Sequence, residues 1–162
     1  MLTNPRKTLP VLPRALALPL SIVPDQVHSS LIARALSIIF ANQIKAGELE
    51  FLSDRMVYIQ VLDAGIAFRL SYQRHRLVAG DRDAKPDLII RGTVYDFLTL
   101  ISRREDADTL FFQRRLKMEG DTELGLYVKN FLDGVDIESV RFYASGDYMV
   151  QRSMLFFERL FG

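Results

Sequence analysis

The stretch RMVYIQVLDAGIAFRLSYQ, residues 55–73, limits what this chain can become more than any other. Val57, Ile59 and Val61 alternate with polar residues, and Ile66, Phe68, Leu70 and Tyr72 do the same after Asp63-Ala64-Gly65. A period of two puts each set on one side of a strand, and the central Asp-Ala-Gly supplies a turn, so the segment reads as a β-hairpin with one apolar face. Such a face has to be covered. At 162 residues the chain is long enough to bury a core without disulfides, and its lack of cysteine excludes them together with cysteine-ligated zinc and iron–sulfur clusters.

The cover is visible on both sides of the hairpin. Asp25 is placed to N-cap a helix reaching about Ala46, with Ile32, Leu36, Ile39, Phe40 and Ile44 at helical spacing and Gly47 as its stop. RHRLVAGDRDAKP is polar except for Leu77-Val78 and is expected to be a loop or a weak edge strand. DLIIRG reads as a short buried strand, and TVYDFLTLISR as a helix through Val94, Phe97, Leu98 and Ile101. A short helix over Asp106–Phe112, a strand RLKMEG, a helix DTELGLYVKNFLD, a connecting piece with Val140 and Phe142, and a final helix from Asp147 complete the chain. This order predicts an α+β fold: a mostly antiparallel sheet of about five strands with helices on one face.

Three carboxylates lie within five residues, Glu119, Asp121 and Glu123, and raise the question of an acid–base or metal site. On a helix from Thr122 to Leu132, residues advance 100° each. Leu124, Tyr127, Val128, Phe131 and Leu132 then share an arc of about 140°. Glu123 falls outside that arc, Asp121 sits at the N-cap, and Glu119 alternates with Met118 on the preceding strand. The three point in different directions, as structural punctuation would. Gly125 costs the helix about 1 kcal/mol unless something packs closely against it.

In the final helix, Met149, Val150, Met154, Phe156, Phe157, Leu160 and Phe161 fill an arc of about 160°. They make either an ordinary core helix or a lid over a greasy cavity. Leu155 and Tyr148 lie on the other side, where they would meet the N-terminal arm or a partner. The arm, residues 1–24, is apolar and basic, and prolines 10, 13, 19 and 24 break it below the roughly 20 residues a spanning helix needs. Arg6, Lys7 and Arg14 before ALALPLSIV mimic a signal peptide with a poor cleavage signal. An arm that docks on the fold or touches a membrane surface is the expectation.

Known chemistry is scarce. His28 and His75 have no ligand spacing, GDRD lacks the later ligands of a calcium loop, and no nucleophile elbow, P-loop or dinucleotide fingerprint occurs. A net charge of +1 gives no general field for nucleic acid. The expectation is a protein with no catalytic residues, metal or cofactor. Arginines cluster at 103–104 and at 114–115, followed by Lys117. They read as solvated helix ends and a strand edge, or as contacts for lipid phosphates.

KPDLIIRGTVYDFLTLISRREDADTLFFQRRLKMEGDTELGLYVKN, residues 85–130, resembles the sterol-carrier-protein type-two lipid-binding domain. The matching features are the K-P-D-L entry to a strand, the helix around Phe97 and Leu100, the aspartate-led DADTLFFQ, and RLKMEGDTELG. Many members carry glycine where this chain has Arg114. FFQRRLKMEGDTELGLYVKN, the proline-rich arm and the short length look most like the bacterial ubiquinone biosynthesis accessory factor T family. That resemblance implies a non-enzymatic lipid binder in residues 25–162, serving the oxygen-independent ubiquinone pathway. It also implies an isoprenoid quinone precursor as ligand, with a phospholipid or fatty-acyl chain as the alternative. Iron–sulfur, peptidase-like proteins would be its partners, in the cytoplasm or at the periphery of the inner membrane. A packed assembly scaffold is the reading from a different class. From the facing patterns, Ile59, Phe68, Leu70, Phe97, Leu124, Val128, Phe131, Met149, Phe156, Phe157 and Leu160 are expected to line or close the lipid cavity. Arg114, Arg115 and Lys117 are expected to meet headgroups or membrane.

Overall fold

The computed structural model describes residues 10–13, 24–135 and 146–161. Five strands form one sheet: β1 (Met56–Val61), β2 (Ile66–Gln73), β3 (Arg76–Ala79), β4 (Leu88–Gly92) and β5 (Lys117–Gly120), in the order β3-β2-β1-β4-β5. The hairpin forms in the expected register, Val57 opposite Leu70 and Ile59 opposite Phe68, with Gly65 at φ 63 in its turn. β4 runs parallel to β1, and every other pairing between these strands is antiparallel. The α+β prediction and the predominantly antiparallel sheet of five strands are borne out.

β3 is the edge strand that its two apolar residues suggested. It closes a second hairpin through Arg74 and His75, both left-handed at φ 50 and φ 57. Two-residue hairpin loops need that conformation because it follows the twist of the strands. The usual Asn-Gly signal is missing, so the turn is not legible from residue type.

The predicted first helix is broken into α1 (Asp25–Ile39) and α2 (Ala41–Lys45) around Phe40, at φ −96 and ψ 22. The bend puts Phe40 edge-on to Phe131, centroids 5.2 Å apart, while Ile44 is buried. A 3-10 turn follows at Glu50–Leu52. After β4 come α3 (Val94–Ile101) and α4 (Ala107–Phe112), and after β5 come α5 (Thr122–Gly134) and α6 (Gly146–Phe161). Val140 and Phe142 lie outside the described residues, as does the arm apart from residues 10–13. In that short piece the Leu12 N–H donates to Asp63 in the β1–β2 turn at 2.9 Å.

The core occupies one face of the sheet. Val57, Phe68, Leu70, Leu88 and Ile90 pack under Ala33 of α1, Leu52, and Leu124 and Val128 of α5. The opposite face is polar: Arg69 lies 4.4 Å over the Tyr58 ring, and Arg91 bonds both Gln60 and Glu119 at 2.6 Å. Helix cover on one face and a ladder of polar side chains on the other is the pattern of an alternating strand.

Candidate functional site

A free volume bordered by described residues lies along the β5 edge. β5 pairs only with β4, so its outer side opens to a groove of about 670 Å³ between the end of α4 and α5. Its floor is Leu88, Leu116, Met118 and Gly125, with Phe111 and Leu126 as apolar walls. Local chemistry explains the opening. Gly120, at φ 117, ends β5 where an added Cβ would run into the Asp87 carbonyl oxygen. Asp121 then starts α5, accepting from the N–H groups of Glu123 and Leu124 at 3.0 Å. A Cβ placed on Gly125 would stand 3.3 Å from Met118 Sδ and 3.6 Å from Leu88 Cδ1. The position is snug, since a side chain there would press on the Met118 thioether.

Arg114, Lys117, Glu119, Asp121, Thr122 and Lys129 also border the groove. Glu119 is taken by Arg91 at 2.6 Å, Asp121 by Arg55 at 3.2 Å, and Lys129 by Asp108 at 2.7 Å. Lys129 is held above its ordinary pKa, chiefly by the hydrogen bond it donates to Asp108. Arg114 and Lys117 have no ionic partner among the described residues and are exposed. Arg115 differs from both: with its side chain 12% exposed, it donates to Asp96 at 2.8 Å and Glu105 at 2.6 Å. Burial opposes its charge, but the bonds to Glu105 and Asp96 outweigh that and raise its pKa. The guanidinium is committed to the interior.

Of the carboxylates that prompted the acid–base question, Glu119 and Asp121 border the same groove but are held by different arginines, and among the described residues no group of three or more potential ligands could hold a metal. His75 is a turn residue. His28 is half-buried in α1.

The predicted lining residues fall into three groups. Phe68, Leu70, Leu124 and Val128 are buried in the core layer, with Ile59, Phe97 and Phe131 packed against it. Phe157 is buried where α6 leans on α3, stacked on Tyr95 at 6.4 Å. Phe156 and Leu160 point outward, 64% and 53% exposed, and the side chain of Met149 lies outside the described residues. The sequence reading missed Leu88, Phe111, Leu116, Met118, Gly125 and Leu126. The reservation about close packing at Gly125 was the one available signal. In the same sheet the Tyr72 hydroxyl is buried with no hydrogen-bond partner among the described residues, its pKa raised by burial and then by Glu50.

No helix among the described residues is long and apolar enough to cross a membrane. Comparison with known proteins agrees with this architecture. Residues 35–133 match the SCP-2 sterol transfer family. The ubiquinone biosynthesis accessory factor UbiT of Escherichia coli K12 is 38% identical over 128 residues, which is 79% of this chain and 73% of that protein. UbiT of Escherichia coli O157:H7 gives the same values. Among solved structures, one described as a UbiJ-SCP2 ubiquinone synthesis protein superposes with a TM-score of 0.50 at 14% identity, covering 64% of this chain and 94% of its own. That degree of likeness concerns the fold alone. This chain belongs to the SCP-2 sterol transfer family.

Proposed function

We propose that the chain is a non-catalytic, lipid-binding accessory factor of ubiquinone biosynthesis, active in the oxygen-independent route. Its ligand is a polyprenylated ring precursor, with the tail in the groove and the ring at the mouth for modifying enzymes, among them iron–sulfur peptidase-like partners. It works in the cytoplasm or against the inner membrane. The carrying observation is the groove itself, an apolar floor opening beside two cations without ionic partners. Its volume, about 670 Å³, lies within the range of roughly 300–1,000 Å³ common for small-molecule sites. Each buried methylene contributes about 0.8 kcal/mol, so a few isoprene units offset the ordering costs. Kinship with UbiT supports the pathway. The core residues from Ile59 to Phe131 shape the layer behind the floor, and Arg114 and Lys117 contact the polar end.

Those two cations equally favour a phospholipid or fatty-acyl ligand, a second reading with the same groove. Native mass spectrometry of the gently purified protein distinguishes the two by the mass of the retained lipid. A Gly125→Leu chain, its floor filled, is expected to retain none. Wild-type protein that is empty after mild purification would remove the carrier reading.

A further inference from the structure

Helix α4 stops in a way that its sequence does not favour. The Arg114 N–H bonds the Phe111 carbonyl and the Arg115 N–H bonds the Leu110 carbonyl, both at 3.0 Å. This two-bond stop requires a left-handed residue, and Arg114 supplies it at φ 59. Glycine takes that conformation freely, whereas arginine takes it at a cost. Two residues earlier stands Phe112, 93% exposed, more than any other large apolar side chain described. Leu126, 52% exposed, belongs to the groove wall.

A cation at a helix C-terminus gains something from the helix dipole, but that gain does not explain the cluster. Helix α3 ends in the same way, with Arg103 at φ 53 and its N–H on the Leu100 carbonyl at 3.1 Å. Arg103 shares the conformation and the dipole but does not border the groove. At the groove the cationic excess survives, because Glu119, Asp121 and Asp108 are each matched by Arg91, Arg55 and Lys129.

We propose that Phe112, Arg114 and Lys117 form a rim that docks on an anionic phospholipid bilayer with the groove mouth facing the lipid. Phe112 enters the headgroup–acyl boundary, and Arg114 and Lys117 meet phosphate oxygens. A strongly protruding aromatic flanked by cations suits a soft, anionic interface. The inference rests on the carrier reading above and adds where cargo enters and leaves.

Flotation of the full chain with phosphatidylcholine vesicles, with and without phosphatidylglycerol, tests it. Binding is expected only with the anionic lipid and is expected to weaken with salt. Arg114→Gly should bind about five-fold less yet melt no lower, because glycine suits the helix stop. Phe112→Ser should bind about ten-fold less, and Arg103→Gly should match wild type. Equal losses at Arg103 and Arg114, full binding by Phe112→Ser, or no flotation at all would overturn the docking surface. The last outcome would leave the rim to a protein partner. Native mass spectrometry on the same preparations separates the two ideas. Lipid-loaded wild type that does not float sinks only the docking surface, whereas wild type without lipid sinks the carrier reading.

Discussion

Asp121 illustrates, at the scale of one residue, how a suggestive carboxylate becomes architecture. It accepts from the Leu124 and Glu123 N–H groups and from Arg55, which leaves it little freedom to move a proton. The Leu124 bond, the Glu123 bond and Arg55 together hold its pKa below the ordinary 3.8 against a smaller opposing effect of burial. Asp106, capping α4 through Thr109, is lowered in the same way. A depressed folded-state pKa contributes stability that is complete above the unfolded value and is lost as pH falls through the folded one. Wild type should therefore melt higher than Asp121→Ala at pH 6, with the gap closing below about pH 4. Thermal melts across that range check it; a gap that persists at the acid end would mean that the carboxylate acts through something other than its charge.

Among the elements, α1 does more than cover the sheet. Ser37 Oγ accepts from the Leu77 N–H at 3.0 Å and donates to the Leu77 carbonyl at 3.2 Å, which closes the outer side of edge strand β3. Ser29 Oγ similarly accepts from the Arg69 N–H at 2.9 Å. Unpaired strand edges invite pairing with other chains, so covering them protects solubility. Ser37→Ala should cost about 1 kcal/mol in urea unfolding, and should leave the groove unaffected. Helix α6 belongs to a different contact. Met154 and Phe157 are buried, Tyr95 donates to Glu158 at 3.0 Å, and Arg104 pairs with Glu158 at 2.6 Å. Its helical spacing was legible from residue 147 onward. The arc that meets the rest of the protein was not, because Phe156 and Leu160 have the same chemistry as Phe157.

For the whole molecule, Arg115 is the tie that holds the helical layer to the β5 end. From the turn that leads into β5 it reaches Asp96 of α3 and Glu105 between α3 and α4, with Asp96 also capping α3 through Thr93. Removing one partner of a largely buried pair leaves an uncompensated charge, so Arg115→Ala should lose about 3 kcal/mol. Chemical denaturation measures this, and a loss near that of an exposed pair would show that the network is dispensable. The same residue shows where reading stops. Arg114, Arg115 and Lys117 are one basic run in the sequence, but the fold turns the middle one inward and leaves the outer two at the groove. The hairpin, the helix spacing, the α+β class and the capping role of Asp121 all follow from local periodicity and turn chemistry, and are readable in the chain itself. The groove draws on β4, the α4–β5 junction and α5, segments whose apolar residues each look like ordinary core. Only the parallel pairing of β4 with β1 and the edge position of β5 bring those particular residues together around one groove, and no local pattern encodes a pairing between distant strands.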